Sequence, residues 1–579
     1  MKRLIAQKVM EALLPSLSKE QCLQKWIKVQ AHAQIHPRVK MQLPLRYLFQ
    51  EKASKEELLQ VGSEVTRRIE LDDQVIGCDI SEKDNGPCLA FYVDSRAFVE
   101  STILEFQRHL KMGSCIPHLK REWSEKTVAI DFSSPNIAKP FHMGHLRSTI
   151  LGAFLGNLFE FLGSRVVRIN YLGDWGTQFG ILQEGMYREG TKEEDFQGDP
   201  LHTLYQLYVH ANQLADTDPQ FAERGREWFT RMEKGDRDAL QLWDVIRTLS
   251  VQEFQKIYDR LGIKFDHYDG ESLYNKSWVE GILEDLRRAG LLMKDDKGRE
   301  VVSVSPKGQV VLVKSDGSLV YLTRDVAAAM DRWERFHFHR MFYVIDNSQA
   351  QHITSLVEIL RQKGVEWVDR CIHVSFGRLR GLSTRKGTAV FLDDILDEAK
   401  LKMKHQQALS PTTRDYTEEV ADNLGITAVI INDFKQRRTK DYDFSWDRAL
   451  QSTGESGIAL QYAHSRLCSL EENCGVSLPN QWESLSLADL GLNPQATLLA
   501  AQLSRVDEVM EESVARLEPC IIVKYLFSLR DAVNKAFKVL QVKGEEEATA
   551  MARLALFTSA RHILAQLLKI LNITPLRKM

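Results

Sequence analysis

The sequence has 579 residues, enough for about three or four domains, and its 44% hydrophobic and 27% charged content is ordinary for a globular protein. The net charge of −3 gives no overall basic surface, so a nucleic acid would have to bind a local patch. No apolar run approaches the roughly 20 residues that cross a bilayer, and the eight cysteines contain no C-x-x-C pair, which argues against a structural zinc site.

Residues 1–118 predict a separate α+β domain. Its opening, MKRLIAQKVMEALL, is a basic amphipathic helix, either the remnant of an organellar presequence or an ordinary first helix. Helical patterns dominate up to Arg68, alternation predicts short strands at Gln74–Ile80 and Pro87–Val93, and Glu100–Leu110 predicts another helix. No catalytic group of residues occurs there, so the domain is either an RNA-contacting module or a structural one.

Residues 119–390 alternate between strands and helices, which predicts a doubly wound parallel sheet. Two stretches, about 185–262 and 275–318, are too long for plain connections and are interpreted as insertions. Residues 391–579 are almost entirely helical and predict an antiparallel bundle. The predicted fold class is therefore multidomain α/β: an α+β N-terminal domain, a split Rossmann core with insertions and an all-α C-terminal helix bundle.

The stretch Ser133–Arg147 follows the apolar strand Thr127–Phe132 and precedes a helix. A helix N-terminus at the end of a strand suits an anion such as phosphate. Lys139, His142 and His145 lie in this stretch, and Gly144 lets a flat ligand approach the backbone. The two histidines could instead be metal ligands or core residues, although no acid or cysteine at helical spacing completes a metal site.

Three later loops have a similar character. The strand Val166–Asn170 is followed by YLGDWGTQFG, a glycine-rich loop at the edge where such sheets bind ligands. Phe265–Glu271 is interpreted as a loop after a strand, and Gly381–Gly387 has the composition of a phosphate-contacting loop. No Walker loop and no G-x-G-x-x-G occur, so a nucleotide would bind by another route.

The run SSPNIAKPFHMGHLRST contains HMGH, which resembles the "HIGH" signature of class I aminoacyl-tRNA synthetases and, over its length, the arginyl-tRNA synthetases. NYLGDWGTQFG, YLTRDVAAA, LQYAHSRL and the terminal ITPLRKM resemble further motifs of that family, across roughly residues 120–579. The residues of these motifs are most similar to those of the mitochondrial enzymes of animals. Residues 1–118 match by position the family's tRNA-elbow domain, and the C-terminal bundle its anticodon-binding domain.

The resemblance implies that the chain uses ATP, with Mg²⁺ bridging its phosphates, to form arginyl-adenylate and transfers arginine to the 3′-terminal adenosine of tRNA(Arg). His142, His145 and Gly144 would bind ATP, and catalysis would consist mostly of positioning and electrostatic stabilisation. The family's KMSKS loop is replaced here by LSTRKG. Lys139 would therefore be a principal cation, with Arg385 and Lys386 as helpers.

The same resemblance implies an arginine pocket, in which carboxylates meet a planar guanidinium. Its members would be Ser134, Asn136, Glu271, Tyr321, Asp325 and Gln349. Tyr321 and Asp325 face one way if a helix starts there. Taken alone, Asp325 is equally explained as an acid at a helix start.

The helical bundle carries residues expected to contact tRNA: Lys435, Arg437, Arg438, Tyr462 and Arg466. Taken alone, a basic run is usually a solvated helix face. We expect tRNA(Arg), L-arginine and ATP as partners, no membrane, no resident metal, a monomer and the mitochondrial matrix, with the cytoplasm as the alternative. A scaffold that kept the fold without catalysis, and another nucleotidyltransferase of the superfamily, are the rival hypotheses.

Overall fold

The computed structural model describes most of the chain. The described residues are 1–13, 27–29, 38–49, 53–83, 86–113, 117–141, 143–191, 193–196, 198–305, 308–380, 391–409, 417–451 and 454–579. They form two compact units. The first unit contains residues 1–122, 404–435 and 450–579, and the second contains residues 123–403 and 436–449.

The N-terminal part of the first unit is an antiparallel sheet with helices. Its elements are α1 (Lys2–Ala12), β1 (Lys28–Val29), β2 (Arg38–Pro44), α2 (Lys55–Arg68), β3 (Val75–Lys83), β4 (Gly86–Asp94) and α3 (Ser95–Lys111), followed by α4 (Pro117–Trp123). The strand order is β1-β2-β4-β3. The two predicted strands and the third helix are confirmed. The helical interpretation missed β2, whose apolar residues Val39, Met41 and Leu43 alternate and are buried.

Helix α1 is a packed element of this unit. Ile5 and Val9 are fully buried, and the Lys2 ammonium lies 2.8 Å from an Asp507 carboxylate oxygen and 2.7 Å from a Glu508 oxygen. These two ion pairs raise the pKa of Lys2 against the opposing effect of its burial. A buried ammonium between two carboxylates fixes the position of the helix on the C-terminal bundle.

The second unit is built on five parallel strands. In chain order its elements are β5 (Thr127–Asp131), α5 (Met143–Phe161), β6 (Arg165–Leu172), α6 (Thr177–Glu189), α7 (Pro200–Thr217), α8 (Pro219–Glu233), α9 (Arg237–Arg260), β7 (His267–Gly270), α10 (Lys276–Arg288), β8 (Leu292–Lys294), β9 (Glu300–Ser305), β10 (Gly308–Val313), α11 (Tyr321–Phe336), β11 (Arg340–Tyr343), α12 (Ala350–Gln362), β12 (Cys371–His373), β13 (Leu379–Arg380) and α13 (Leu392–Leu409). The last residues of α13, from position 404 onward, belong to the first unit. The parallel strand order is β12-β11-β5-β6-β7. The predicted doubly wound sheet is confirmed.

The two insertions lie where the sequence analysis expects them. Helices α7 to α9 fill the first, and α10 with the antiparallel β8, β9 and β10 fills the second. The interpretation of Phe265–Glu271 as a loop is wrong for most of its length. His267–Gly270 is the edge strand β7, paired in parallel with β6 from Ile169↔His267 onward. A short edge strand with one partner carries polar residues, so HYDG lacks the apolar run of a buried strand.

The remaining elements are mostly helices, as predicted. They are α14 (Glu418–Phe434), β14 (Tyr442–Asp443), α15 (Trp446–Ala449), α16 (Gly457–Asn473), α17 (Pro494–Leu503), α18 (Val506–Arg516), α19 (Pro519–Phe537) and α20 (Glu547–Ile570). Strand β14 pairs with β13 and belongs to the second unit. In the described ranges no helix is both long and apolar enough to span a bilayer.

Candidate active site

The polar side chains of the second unit gather at the carboxyl ends of its parallel strands. The chain runs from β5 to β6 on one side of the sheet and from β11 to β12 on the other, so the direction of the connections reverses at the β5–β11 boundary. Open α/β sheets bind ligands in the crevice at such a point. The loop Ser133–Phe141 follows β5, and Glu271 follows β7 directly. The sheet topology therefore brings together residues that are far apart in sequence.

The loop after β5 has an unusual backbone that is fixed by hydrogen bonds. Ser133, Ser134 and Ala138 have φ angles of 73°, 50° and 58°, a region that residues other than glycine rarely adopt. The amides of these three residues donate to Ser148 Oγ, Asn170 Oδ1 and Ser250 Oγ at 2.9, 3.1 and 2.9 Å. Strain of this kind persists only where surrounding contacts impose it, and it is concentrated at functional sites.

A buried ion pair supports the start of this loop. Asp131, the last residue of β5, accepts from Arg332 at 2.9 Å and from the Ser134 hydroxyl at 3.0 Å. The Arg332 guanidinium also lies 4.8 Å from the centre of the Tyr171 ring. Burial raises the pKa of Asp131, and the cation opposes that rise. The hydroxyl of Ser134, a predicted arginine contact, is thus engaged in holding the loop.

Lys139 lies near the end of the loop, and His145 lies in the first turn of α5. The Lys139 ammonium lies 4.7 Å from the centre of the Tyr208 ring, which belongs to the first insertion. The His145 ring contacts Phe141, with 5.2 Å between ring centres, and Gly144 is exposed. His142 lies outside the described residues. A half-buried ammonium near the positive end of a helix suits a phosphate oxygen.

Glu271 is a carboxyl group of the crevice whose pKa is raised far above its ordinary value. Its Oε2 atom is buried and has no hydrogen-bond partner in the part of the chain that the structure describes. Burial and the negative charge of Asp325 raise the pKa of Glu271 to about 8. An orphaned buried carboxylate is costly unless a cation joins it. A guanidinium would supply both the charge and the missing donors.

Asp325 faces this group from α11. The helix begins at Tyr321, so Tyr321 and Asp325 share one face as predicted. The His352 ring nitrogen lies 2.5 Å from Asp325 Oδ2, and this hydrogen bond raises the pKa of His352. The sequence analysis did not single out His352. Its position three residues after Gln349, in the first turn of the helix that follows β11, was the available signal.

The remaining predicted arginine contacts lie at the rim of the crevice. Tyr321 is 58% exposed, and its pKa is raised by burial of the hydroxyl and by the charge of Glu271. Asn136 is exposed, and its side-chain oxygen faces Gly173 so closely that a Cβ there would clash. Gln349 is exposed at the end of a short 3₁₀ turn. These three side chains are accessible to a ligand in the crevice.

Arg147 anchors the segment that leads into the predicted phosphate-contacting loop. Its fully buried guanidinium donates to the carbonyls of Gly377 and Lys440 at 2.6 and 3.0 Å and lies 5.3 Å from the Tyr442 ring centre. The loop itself, with Arg385 and Lys386, lies outside the described residues. The contacts explain why the HLRST part of the motif contains an arginine: it holds Gly377 and Lys440 against α5.

The residues predicted to contact tRNA are in two groups. Lys435 belongs to the first unit, and Arg437 and Arg438 belong to the second. Arg437 is exposed, whereas Arg438 donates to the Ser375 carbonyl and so has a structural contact. Tyr462 and Arg466 are one turn apart on α16 and are exposed; Arg466 lies over Phe537.

Helix α16 also binds the last residues of the chain. Gln461, which is fully buried, donates to the Thr574 carbonyl at 2.8 Å and accepts from the Leu576 amide at 2.9 Å. The buried His464 contacts the Leu576 carbonyl at 2.8 Å. The motifs LQYAHSRL and ITPLRKM are thus parts of one structural contact, which leaves Tyr462 directed to the surface.

Comparisons with known proteins agree with this geometry. Residues 115–446 match the family described as "tRNA synthetases class I (R), catalytic domain", and residues 460–579 match "DALR anticodon binding domain". The chain belongs to the class I arginyl-tRNA synthetases. It is 41% identical to the human "Probable arginine--tRNA ligase, mitochondrial" over 87% of each chain. It is 42% identical to the "Arginine--tRNA ligase, cytoplasmic" of Saccharomyces cerevisiae over 86% of this chain and 83% of the relative.

Solved structures of arginyl-tRNA synthetases share the fold. The Thermus thermophilus protein has a TM-score of 0.78 at 19% identity over the full length of both chains. The Plasmodium falciparum protein has a TM-score of 0.77 at 22% identity, over 100% of this chain and 98% of that one. At these identities the likeness shows the fold alone.

Within the described residues of this chain, no group of three or more histidine, cysteine or acidic side chains could hold a metal ion.

Proposed function

We propose that this chain attaches arginine to tRNA(Arg) in two steps, with arginyl-adenylate as the intermediate. The family membership supports the reaction class, and one observation supports the amino acid. That observation is the buried Glu271 oxygen without a hydrogen-bond partner among the described residues, placed beside Asp325. Two carboxylates at the base of a crevice fit a permanently charged, planar guanidinium.

In the first step the arginine carboxylate attacks the α-phosphate of ATP and pyrophosphate leaves. Glu271 and Asp325 would bind the guanidinium, Tyr321 and Gln349 would contact the side chain, and Asn136 would orient the α-amino or carboxylate end. Ser134, whose hydroxyl is engaged with Asp131, would contribute by shaping the loop. Holding the reactants in line supplies most of the rate acceleration.

ATP would enter as its magnesium complex, which is a substrate. Negative charge builds on the phosphate oxygens and on pyrophosphate, so cations must lie where that charge develops. Lys139 would be the principal cation, with Arg385 and Lys386 as helpers. His142 and His145 would hold the phosphate oxygens, and Gly144 would lie under the adenine. To reach a phosphate, the Lys139 ammonium would leave the face of Tyr208, a contact of about 0.5–1 kcal/mol at an exposed site.

The experiment is ATP-dependent charging of tRNA(Arg) with labelled arginine or citrulline. We expect arginine to be attached and citrulline to be rejected, because its neutral ureido group leaves the carboxylates unpaired. Lys139→Ala should lower kcat by about 10²–10³, the typical loss for one stabilising group. Exposed Lys256→Ala is the matched control. Folded protein that binds tRNA without charging it would instead indicate a scaffold.

Three further parts of the proposal concern the setting of the reaction. We place the chain in the mitochondrial matrix because relatives in human, cattle and mouse carry that name, although the yeast cytoplasmic relative is equally similar. Fractionation of tagged full-length protein tests this, and a purely cytosolic signal would overturn it. The C-terminal bundle would bind the anticodon through Tyr462 and Arg466, and we propose that the protein acts as a monomer, which light scattering tests.

A further inference from the structure

Helix α9 of the first insertion contacts the loop after β5 at two points, Ser133 and Ala138. Both residues have positive φ angles, so these are points where the backbone is strained. The Ser133 hydroxyl lies 2.7 Å from the Tyr258 hydroxyl, and the Ala138 amide donates to Ser250 Oγ at 2.9 Å. Tyr258 and Ser250 are buried and eight positions apart. Their Cα atoms therefore lie about 12 Å apart along one side of α9, and this side of the helix supports the loop.

The Tyr258 hydroxyl belongs to a chain of hydrogen bonds that runs in one direction. It accepts from the Asn170 side-chain amide at 3.0 Å. The Thr149 hydroxyl lies 2.8 Å from Ser133 Oγ and 2.7 Å from the His145 carbonyl. Because a carbonyl can only accept, the single Thr149 proton is directed to His145. Ser133 then donates to Thr149, and Tyr258 donates to Ser133. The chain thus runs from β6, through α9 and the loop, to the first turn of α5.

Burial keeps the proton that this chain needs on the Tyr258 hydroxyl, since it raises the pKa of that group. The Tyr258 ring also packs edge to face against Phe141, at the other end of the loop, with 5.5 Å between ring centres. Phe141 in turn lies 5.2 Å from the His145 ring centre. One side chain of the insertion therefore contacts both ends of the loop.

Ser250 supports the backbone just before the proposed principal cation. Its hydroxyl donates to the Ile246 carbonyl at 2.7 Å, within α9, and this leaves a lone pair of the oxygen to accept from the Ala138 amide. Ala138 precedes Lys139 directly. The contact therefore fixes the backbone from which the Lys139 ammonium extends.

We propose that Tyr258 and Ser250 are positioning residues for ATP. They hold the loop in the strained conformation from which Lys139 and the first turn of α5 meet the phosphates, without touching the nucleotide themselves. This inference rests on the proposed function for the identity of the ligand. A strained backbone persists only where surrounding contacts impose it, so loss of either contact lets the loop relax away from that conformation. Reacting groups displaced by about 1 Å lose much of their effect on the rate.

The test uses the full-length variants Tyr258→Phe and Ser250→Ala, each of which removes only a hydroxyl group. We expect kcat/KM for ATP to fall by about tenfold to hundredfold, the loss that follows a small displacement of catalytic groups. Equilibrium binding of magnesium-ATP should weaken, and amide hydrogen exchange of the segment 133–138 should become faster. All measurements are made at a temperature where circular dichroism shows that each variant is folded.

The matched controls are Tyr525→Phe and Ser559→Ala, in the other unit of the chain. Both remove a buried hydroxyl that donates to a backbone carbonyl, at 2.9 and 2.8 Å. They should lower the melting temperature as the test variants do but leave kcat/KM for ATP and the exchange of the loop unchanged. The same kinetic loss in the controls, or a stability loss in the test variants with unchanged ATP binding and turnover, would overturn the proposal.

A double variant tests whether Tyr258 acts through Ser133. If it does, Tyr258→Phe combined with Ser133→Ala should lose no more kcat/KM for ATP than the more damaging single change. Losses that multiply would show that Tyr258 acts elsewhere and would overturn its assignment. Charging of tRNA by the wild type tests the proposed function separately. If the wild type does not charge tRNA, magnesium-ATP binding and amide exchange still decide this inference, because neither measurement requires turnover.

Discussion

Two regions of the molecule bury polar side chains in opposite ways. Where α16 meets the end of the chain, Gln461 satisfies its amide with the backbone of Thr574 and Leu576. In the crevice at the strand ends, the half-buried Glu271 has one buried carboxylate oxygen that finds no partner among the described residues. Satisfied polar groups rigidify a fold, whereas an unsatisfied one costs free energy and indicates a ligand. The first region stabilises the fold, and we propose that the second binds a ligand.

The largest expected effect comes from replacing the carboxyl group of Glu271 with a neutral amide. Glu271→Gln removes one partner of the ion pair with bound arginine, a loss of about 3–5 kcal/mol for a buried pair, or roughly two to four orders of magnitude in kcat/KM for arginine. The melting temperature should not fall, because the variant removes a carboxyl group that burial disfavours. Steady-state charging and calorimetry measure both quantities. Glu284→Gln, an exposed residue of α10, should leave both unchanged; a stability loss without a KM effect would make Glu271 structural.

The next variant, Gln461→Leu, should lower stability without changing arginine binding. Gln461→Leu leaves a carbonyl and an amide of the last residues without their partner, at about 1–3 kcal/mol for each group. The free energy of unfolding should fall accordingly, while arginine binding by the native protein stays the same. Denaturant unfolding and isothermal titration test this, with the exposed Gln7→Leu as the control. Unchanged stability would show that the contact between α16 and the end of the chain contributes little.

The sequence predicted part of the crevice but not the contact between α16 and the end of the chain. The spacing of Tyr321 and Asp325 places both on one helix face, so their proximity follows from local periodicity once α11 begins at Tyr321. Arg332 and His352 were missed because their partners, Asp131 and Asp325, are separated from them by long stretches of chain. Only the strand order β12-β11-β5-β6-β7 brings them together. The resemblance of motifs likewise gave no reason why LQYAHSRL and ITPLRKM occur in one protein; the hydrogen bonds do.

A smaller effect is expected for Tyr462, on the exposed surface of α16. Tyr462 is 50% exposed, so Tyr462→Ala should leave stability nearly unchanged. If its ring stacks on a tRNA base, the variant should lose about 1–3 kcal/mol of tRNA binding, a rise in KM of up to a hundredfold. Tyr187→Ala, an even more exposed tyrosine on α6, is the control. Equal KM values for the two variants would restrict α16 to its structural role.

The last effect is the pH dependence of arginine binding, which tests Glu271 as the unsatisfied group. With a pKa of about 8, Glu271 holds a proton in the empty pocket at pH 7, and arginine binding requires that the proton leave. Arginine affinity should therefore rise between pH 6 and 8, by at most about tenfold per pH unit for one proton, and level off above pH 8. The protonated form of His352, favoured by Asp325, adds a dependence of the same sign because it competes with the guanidinium for that carboxylate. Isothermal titration in two buffers of different ionisation enthalpy measures the released proton directly. Glu271→Gln should remove the part that ends near pH 8 and leave the His352 part, whereas a pH-independent affinity in the wild type would mean that arginine binds without an ionised Glu271.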